Sequence, residues 1–293
     1  MNHVSKFLLA PWSYGQSHRG VSLGPRQIWD TWNKTYPGVA RSEEVFLRPF
    51  DNEYPSREET GLYMKRLYLE TAKSLRYYRK TFVIGGDHSI SAASVPAFFD
   101  RYREGAHLIW VDAHADLQVP ETTPSGNTHG MPVSVILGLL GADFRRQYIP
   151  RSSQVTYVGL RSIDTSEIAR IKAHNLDAYY SPDLLDFGYA WPEVVADKIA
   201  HLLKMRKTQA VYISLDVDVC DPSDITGTGT PVSSGLPYHQ VKSFLGLLQD
   251  THRLPVVGSD IVEFNPELCQ TDNPDHTPLQ EALNITGLIK QLV

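Results

Sequence analysis

The chain has 293 residues, 42% of them hydrophobic and 21% charged, which is ample material for a full globular core. A formal net charge of −5, a pI near 6.1 and scattered Lys and Arg exclude the basic footprint of a nucleic-acid-binding protein. Cys220 and Cys269 are too few for a disulfide framework, the N-terminal apolar run is short for a signal peptide, and no stretch nears the roughly 18 apolar residues of a membrane span, so the expected setting is cytoplasmic.

In chain order, the first strand is the apolar run FLLA at 7–10. Leu62, Leu67, Leu69 and Leu75 recur at helical spacing and predict a helix over 57–78. Strands follow at 81–86, 107–113 and 154–160. A helix over 191–207 opens with Pro192 near its first turn, with Val194, Val195, Ile199, Leu202 and Leu203 as its apolar face. A strand at 210–219, a helix from about 238 to 250 and a strand at 255–264 complete the pattern. Strands apolar on both faces that alternate with helices predict an α/β chain whose mainly parallel sheet is covered on both sides. With no linker, repeat or low-complexity tract, residues 1–293 read as one domain.

Four strands finish in ionisable residues. The run at 81–86 leads into Asp87 and His88, and the next delivers Asp112, His114 and Asp116. Asp216 and Asp218 end the strand at 210–219, and Glu263 ends the last. In open parallel sheets chemistry collects beyond the carboxyl ends of strands. Alternate strand positions share a face about 6.5–7 Å apart, so Asp112, His114 and Asp116 can gather around one ion or an adjacent pair. A lone D-x-H-x-D could be a solvated loop; its repetition at further strand ends argues against that.

Asp112, Asp116, Asp216 and Asp218 supply four negative charges, and His88 and His114 two neutral nitrogens. Such a set balances two divalent cations and would repel itself without them. Two ions about 3.5–4 Å apart lower the pKa of the solvent between them and provide a nucleophile near neutral pH, which is hydrolytic chemistry. Oxygen-rich ligation with imidazole and no thiolate suits Mn²⁺ better than a structural Zn²⁺. The turn TGTGTP at 226–231 lacks the Lys of a phosphate loop and reads as a turn that presents Thr230. The remaining histidines, His3 among them, read as surface or structural.

The motifs GGDHS (85–89), DAHAD (112–116) and SLDVDVCDP (214–222) resemble the three signatures of the ureohydrolases, the family of arginases and agmatinases. The resemblance extends to APWSYGQSHRGVSLGP (10–25), PSGNTHGMPVS (124–134), GLRSIDTSE (159–167), GTGTP (227–231) and DIVEFNP (260–266) and is strongest to arginases. It implies a three-layer α/β/α sandwich, the fold shared with metal-dependent deacetylases, and a homo-oligomer, trimer or hexamer. It implies that His88, Asp112, Asp116 and Asp216 hold one Mn²⁺ and that Asp112, His114, Asp216 and Asp218 hold the other. His129 matches the proton shuttle, Glu263 would pair with the guanidinium with Thr230 nearby, and Asp116 counts with His129 and Glu263 among the catalytic residues. Asp87 would support the ligands from behind.

For L-arginine as the small-molecule guanidino substrate, Thr123, Ser125 and Asn127 would meet the α-carboxylate, and Asp164 and Glu167 the α-amine. Gln118 belongs to the same substrate-binding set, but it stands where arginases carry Asn, and Ser162 stands where they carry Asp. A different ω-guanidino acid, or agmatine, is therefore the near alternative. A one-zinc deacetylase would need fewer carboxylates, and a silent homologue would have lost a ligand or Glu263.

Overall fold

The computed structural model describes residues 5–38, 45–46, 55–142 and 144–293. His3 lies outside them. The strands are β1 (Ser5–Ala10), β2 (Val45–Phe46), β3 (Lys80–Gly85), β4 (Ala106–Val111), β5 (Val155–Leu160), β6 (Asp177–Tyr180), β7 (Ala210–Asp216) and β8 (Val256–Val262). The helices between them are α1 (Gly24–Thr35), α2 (Arg57–Tyr77), α3 (Ser91–Tyr102), α4 (Pro132–Ile136), α5 (Thr165–Ala173), α6 (Ser181–Asp186), α7 (Trp191–Met205), α8 (Tyr238–Gly246) and α9 (Pro278–Leu292).

Among the described residues the strands form one sheet, ordered β2-β1-β3-β8-β7-β4-β5-β6, with every pairing parallel. Alternation along each strand explains the layers. On β4, Ile109 and Val111 enter the core that α1, α7, α8 and α9 cover. Leu108 and Trp110 point to the opposite face, where α3, α4 and α5 pack. Both faces are therefore buried, and the sheet is the middle layer of an α/β/α sandwich.

The helix over 57–78 forms, and two of the four leucines that predicted it, Leu67 and Leu75, lie in its buried stripe. Tyr63, Met64, Leu67, Thr71, Ser74 and Leu75 face inward. Leu62 and Leu69 are 54% and 53% exposed. They lie seven residues apart on a neighbouring strip, so they align with each other but not with the stripe that meets the sheet. Ser56 caps this helix by accepting the Glu59 N–H at 3.1 Å, while the Glu59 carboxylate takes the Ser56 N–H at 2.7 Å. The helix at 191 starts with Pro192 in its first turn, as expected. Cys220 and Cys269 are both buried and form no disulfide.

Candidate metal centre and substrate cleft

The central strands β3, β8, β7 and β4 are neighbours, so their carboxyl ends open onto one site. Val111 on β4 pairs with Leu215 on β7, which brings Asp112 and Asp216 out of the sheet abreast. On the other side of β7, Asp216 pairs with Val262, and Glu263 is the next residue. The Glu263 N–H donates to the Gly86 carbonyl at 2.8 Å, joining β8 to the GGDHS turn. Gly86 is required there because a Cβ would lie 1.8 Å from the Trp12 carbonyl oxygen. Asp116 (φ 49°) and Glu263 (φ 68°) adopt left-handed backbone that non-glycine residues avoid. Such strain is typical of residues held by a functional site.

Two donor clusters meet at Asp112. His88 Nδ1 lies 3.1 Å from Asp112 Oδ2 and 3.2 Å from both Asp116 Oδ2 and Asp216 Oδ2. His114 Nδ1 lies 3.5 Å from Asp112 Oδ1 and 3.1 Å from Asp218 Oδ2. Asp112 thus offers a different oxygen to each cluster. The set His88, Asp112 and Asp216 and the set Asp112, His114 and Asp218 each have the spacing to hold a metal ion.

The polar network behind His88 sets its orientation. Asp260, with hydroxyl donors from Ser91 and Ser94 at 2.8 and 2.9 Å, also accepts the Ser214 hydroxyl at 2.5 Å. The Ser214 oxygen, 2.9 Å from His88 Nε2, is left to accept a hydrogen bond from that nitrogen. This places the Nδ1 lone pair toward the three carboxylates. Trp110 stacks on the imidazole at 4.1 Å and donates its indole N–H to Asp112 at 3.0 Å. His88 Nδ1 is buried and has no hydrogen-bond partner, although three carboxylate oxygens face it.

The electrostatics favour a cation. Burial, then the charge of Asp112, raises Asp116 to about 6. Burial, then the charges of Asp218 and Asp112, pushes Asp216 well above the carboxylate range. Burial opposes charge on His88, but the three carboxylates of Asp112, Asp116 and Asp216 crowded against its Nδ1 override it and raise its pKa well above that of a free imidazole. Protons are compensating negative charge that a divalent ion would neutralise. The residues therefore fit a metal centre.

Above the cradle is a cleft of about 140 Å³. Of the residues singled out from the sequence, His114, Asp116, Gln118, Thr123, Ser125, His129, Ser162, Asp164, Glu167, Asp216 and Thr230 line it. Asn127 instead lines a neighbouring groove with Ser13, Tyr14 and Gln16. Thr230 donates to Asp218 at 3.0 Å. Glu263 is 1% exposed; its carboxylate accepts the His88 backbone N–H at 2.7 Å and contacts His129 Nδ1 at 3.0 Å. Burial opposes charge on His129, but the hydrogen bond and charge of Glu263 prevail and lift it to about 9.

Several supporting residues had no individual role in the sequence reading. Gln16 donates to Glu263 from the loop after β1. Arg161 reaches the backbone carbonyls of Asp218, Val219, Cys220 and Val232 at 2.6 to 3.3 Å, bracing the turn that carries Asp218. Both lie inside motifs with family-like character, but a Gln or Arg in a loop carries no signal of its target. Asp87, expected behind the ligands, accepts the Gly15 N–H at 2.7 Å and the Ser89 N–H at 3.1 Å. It ties the N-terminal loop to the His88 turn.

Comparison with known proteins agrees with this geometry. The model of the Arginase family matches residues 5–283. An arginase of Staphylococcus aureus (strain COL) is 33% identical over 299 residues, spanning 95% of this chain and 94% of the relative. An arginase of Glaciozyma antarctica is 32% identical over 285 residues, spanning 88% of this chain and 79% of the relative. The crystal structure of Bacillus subtilis arginase superposes with a TM-score of 0.85 at 26% identity, covering 99% of this chain and 98% of that one. With the strand-end cradle, these likenesses establish that the chain belongs to the arginase family of ureohydrolases.

Proposed function

We propose that the chain is a manganese-dependent hydrolase that cleaves L-arginine to L-ornithine and urea, working as one catalytic domain over 1–293. The observation that carries this reading is the pair of donor clusters joined through Asp112 beside the buried Glu263–His129 contact. His88, Asp112, Asp116 and Asp216 would hold one Mn²⁺, and Asp112, His114, Asp216 and Asp218 the other. When bound, the two ions supply Lewis-acid activation of the attacking water.

The side chains do the rest. Glu263 matches the planar N–H fork of a guanidinium and orients its carbon toward the cradle, with Thr230 beside it. The water oxygen ends on that carbon, the bond to the chain nitrogen breaks, and urea forms. His129, held charged at neutral pH by Glu263, hands the proton to the departing amine. Thr123 and Ser125 each accept a backbone N–H in their loop, at 3.1 and 3.2 Å, which leaves both hydroxyl hydrogens available to a substrate carboxylate. Asn127 extends this set from the adjoining groove, and Asp164 supplies negative charge for an amine, with Glu167 beside it holding the Leu117 and Asp164 N–H groups. The family likeness supports a homo-oligomer, trimer or hexamer, in the cytoplasm. Among the described residues no helix is long and apolar enough to cross a membrane.

The direct test is urea release by the Mn²⁺-loaded protein offered L-arginine, agmatine and other ω-guanidino compounds in parallel, with metal content measured. Fast urea from arginine and two ions per chain is the expected result. Urea from a different guanidine alone would keep the hydrolase and overturn the substrate. No urea from any guanidine with two ions bound would overturn the activity.

A further inference from the structure

Gln118 is two residues beyond Asp116 in the sequence and is 5% exposed. It lines the cleft, and its amide is bonded to three neighbouring side chains. Nε2 donates to Asp164 Oδ2 at 2.6 Å, and Oε1 accepts from Thr122 Oγ1 at 2.8 Å and Ser166 Oγ at 3.1 Å. An ionised carboxylate only accepts and hydroxyls can donate, so the chemistry of these neighbours fixes which end of the amide faces which. Both lone pairs of the amide oxygen are used.

The surroundings hold this arrangement in place. Arg170 donates to Thr122 Oγ1 at 2.8 Å and to the Leu117 carbonyl at 3.2 Å. Glu167 accepts the Leu117 N–H at 2.9 Å and the Asp164 N–H at 3.1 Å. The segment 117–122 and the N-terminus of α5 are thus clasped at several points, and Glu167 spends its oxygens on backbone. Asp164 is itself exposed, stands at the N-cap of α5 and takes the Gln118 amide N–H on its Oδ2. No Lys or Arg lines the cleft among the described residues.

We infer that Gln118 is a positioning residue for substrate selection, which aims Asp164 as the anchor for an ammonium group at the far end of a guanidino substrate. This inference rests on the ureohydrolase reading and sharpens it. The amine, more than the carboxylate, selects the substrate: a carboxylate at this end meets neutral hydroxyl donors, while an amine meets a fixed anion. Guanidines with a terminal amine, such as L-arginine and agmatine, are accepted, and 5-guanidinopentanoate, which keeps the carboxylate and lacks the amine, is rejected.

The test uses the Mn²⁺-loaded full chain and these three guanidines, comparing wild type, Gln118→Met, Asp164→Asn and the double variant. Wild type should have a KM at least tenfold higher for 5-guanidinopentanoate than for arginine. Gln118→Met should raise KM for arginine and agmatine about tenfold, with a much smaller change in kcat, and leave KM for 5-guanidinopentanoate alone. In the Asp164→Asn background it should add nothing, because it acts through Asp164. Thr122→Val, which removes one of the two hydroxyls that orient the amide, should give a weaker change in the same direction and serves if the methionine variant does not fold.

Calorimetric binding of L-ornithine against 5-aminopentanoate reads the same preference without turnover, and metal content should stay at the wild-type value throughout. A Gln118→Met effect that is equal for all three guanidines, or that persists in full without the Asp164 carboxylate, would overturn the inference. So would wild-type binding that ignores the amine. Absence of urea with amine-dependent ornithine binding intact would sink the ureohydrolase reading and leave this one standing.

Discussion

The two ends of the cleft are built differently. The cradle is made from the tips of four adjacent strands, and its register follows from the parallel ladder: Val111 opposite Leu215 sets Asp112 beside Asp216. The far wall is made from the segment 117–125 and the start of α5, joined by the Gln118, Asp164, Thr122 and Arg170 side chains. Backbone pairing in the buried sheet leaves the cradle little freedom. Side-chain bonds on a partly exposed wall can be exchanged one residue at a time. Chemistry is thus secured by the sheet, and selectivity is left to loops that can change without unfolding it.

The sharpest way to break this contrast is at Asp112. It is fully buried, and its two oxygens face the two histidines separately. Asp112→Ala should empty both metal positions and cost at least about a thousandfold in kcat, since the Lewis acid and the activated water go together. Metal analysis alongside urea release decides it. A variant that kept two ions and wild-type turnover would show that the cradle is not centred on this carboxylate.

His129→Asn comes next in size. His129 sits at 3.0 Å from Glu263, on the cleft side of the cradle, and is not in either donor cluster. The variant should retain its metal and lose roughly 10²–10⁴-fold in kcat, the range for a displaced general acid. Loss of metal in parallel would move His129 into the cradle. Full activity would remove it from the chemistry.

The same contrast governs how far the sequence could be read. Ligands at strand tips announce themselves because a buried apolar run has little reason to end in Asp-x-His-x-Asp unless a cation neutralises the carboxylates, and three such ends reinforce one another. Glu263 and the alternation of strands and helices were legible for the same reason. By comparison, α3 is nearly buried on all sides (Ala93, Ser94, Val95, Pro96, Ala97, Phe98 and Phe99), so it has no polar face to give a helical period, and it carries Pro96. Strand β6 has four half-buried residues, too few to signal. The role of Gln118 was out of reach because its three partners, Asp164, Thr122 and Ser166, meet only after the chain folds. The leucine pattern announced α2, but spacing alone does not say that Leu67 and Leu75, and not Leu62 and Leu69, lie on the strip that meets the sheet.

The smallest effect expected lies at the other end of the strand that delivers Asp112. His107, on β4, is 1% exposed and makes a 2.9 Å hydrogen bond with Thr156. Burial, followed by the charge of Arg206, lowers its pKa to about 3 from the ordinary 6.5. Between those values the unfolded chain binds a proton that the folded chain refuses. Stability therefore falls as pH drops below about 6.5, by up to about 1.4 kcal/mol per unit, and this contribution levels off below about 3. His107→Gln keeps a polar partner for Thr156 and removes the titration. At pH 7 it should shift Tm by only a few degrees, and between pH 7 and pH 5 it should lose less stability than wild type, by roughly 2 kcal/mol. The acidic cradle also titrates in this range, but it is common to both proteins and drops out of the difference. Metal content and KM for arginine should not move. An altered metal content would mean that strain introduced at one end of β4 reaches Asp112 at the other, and that the sheet is a less rigid mount for the cradle than its buried parallel ladder implies.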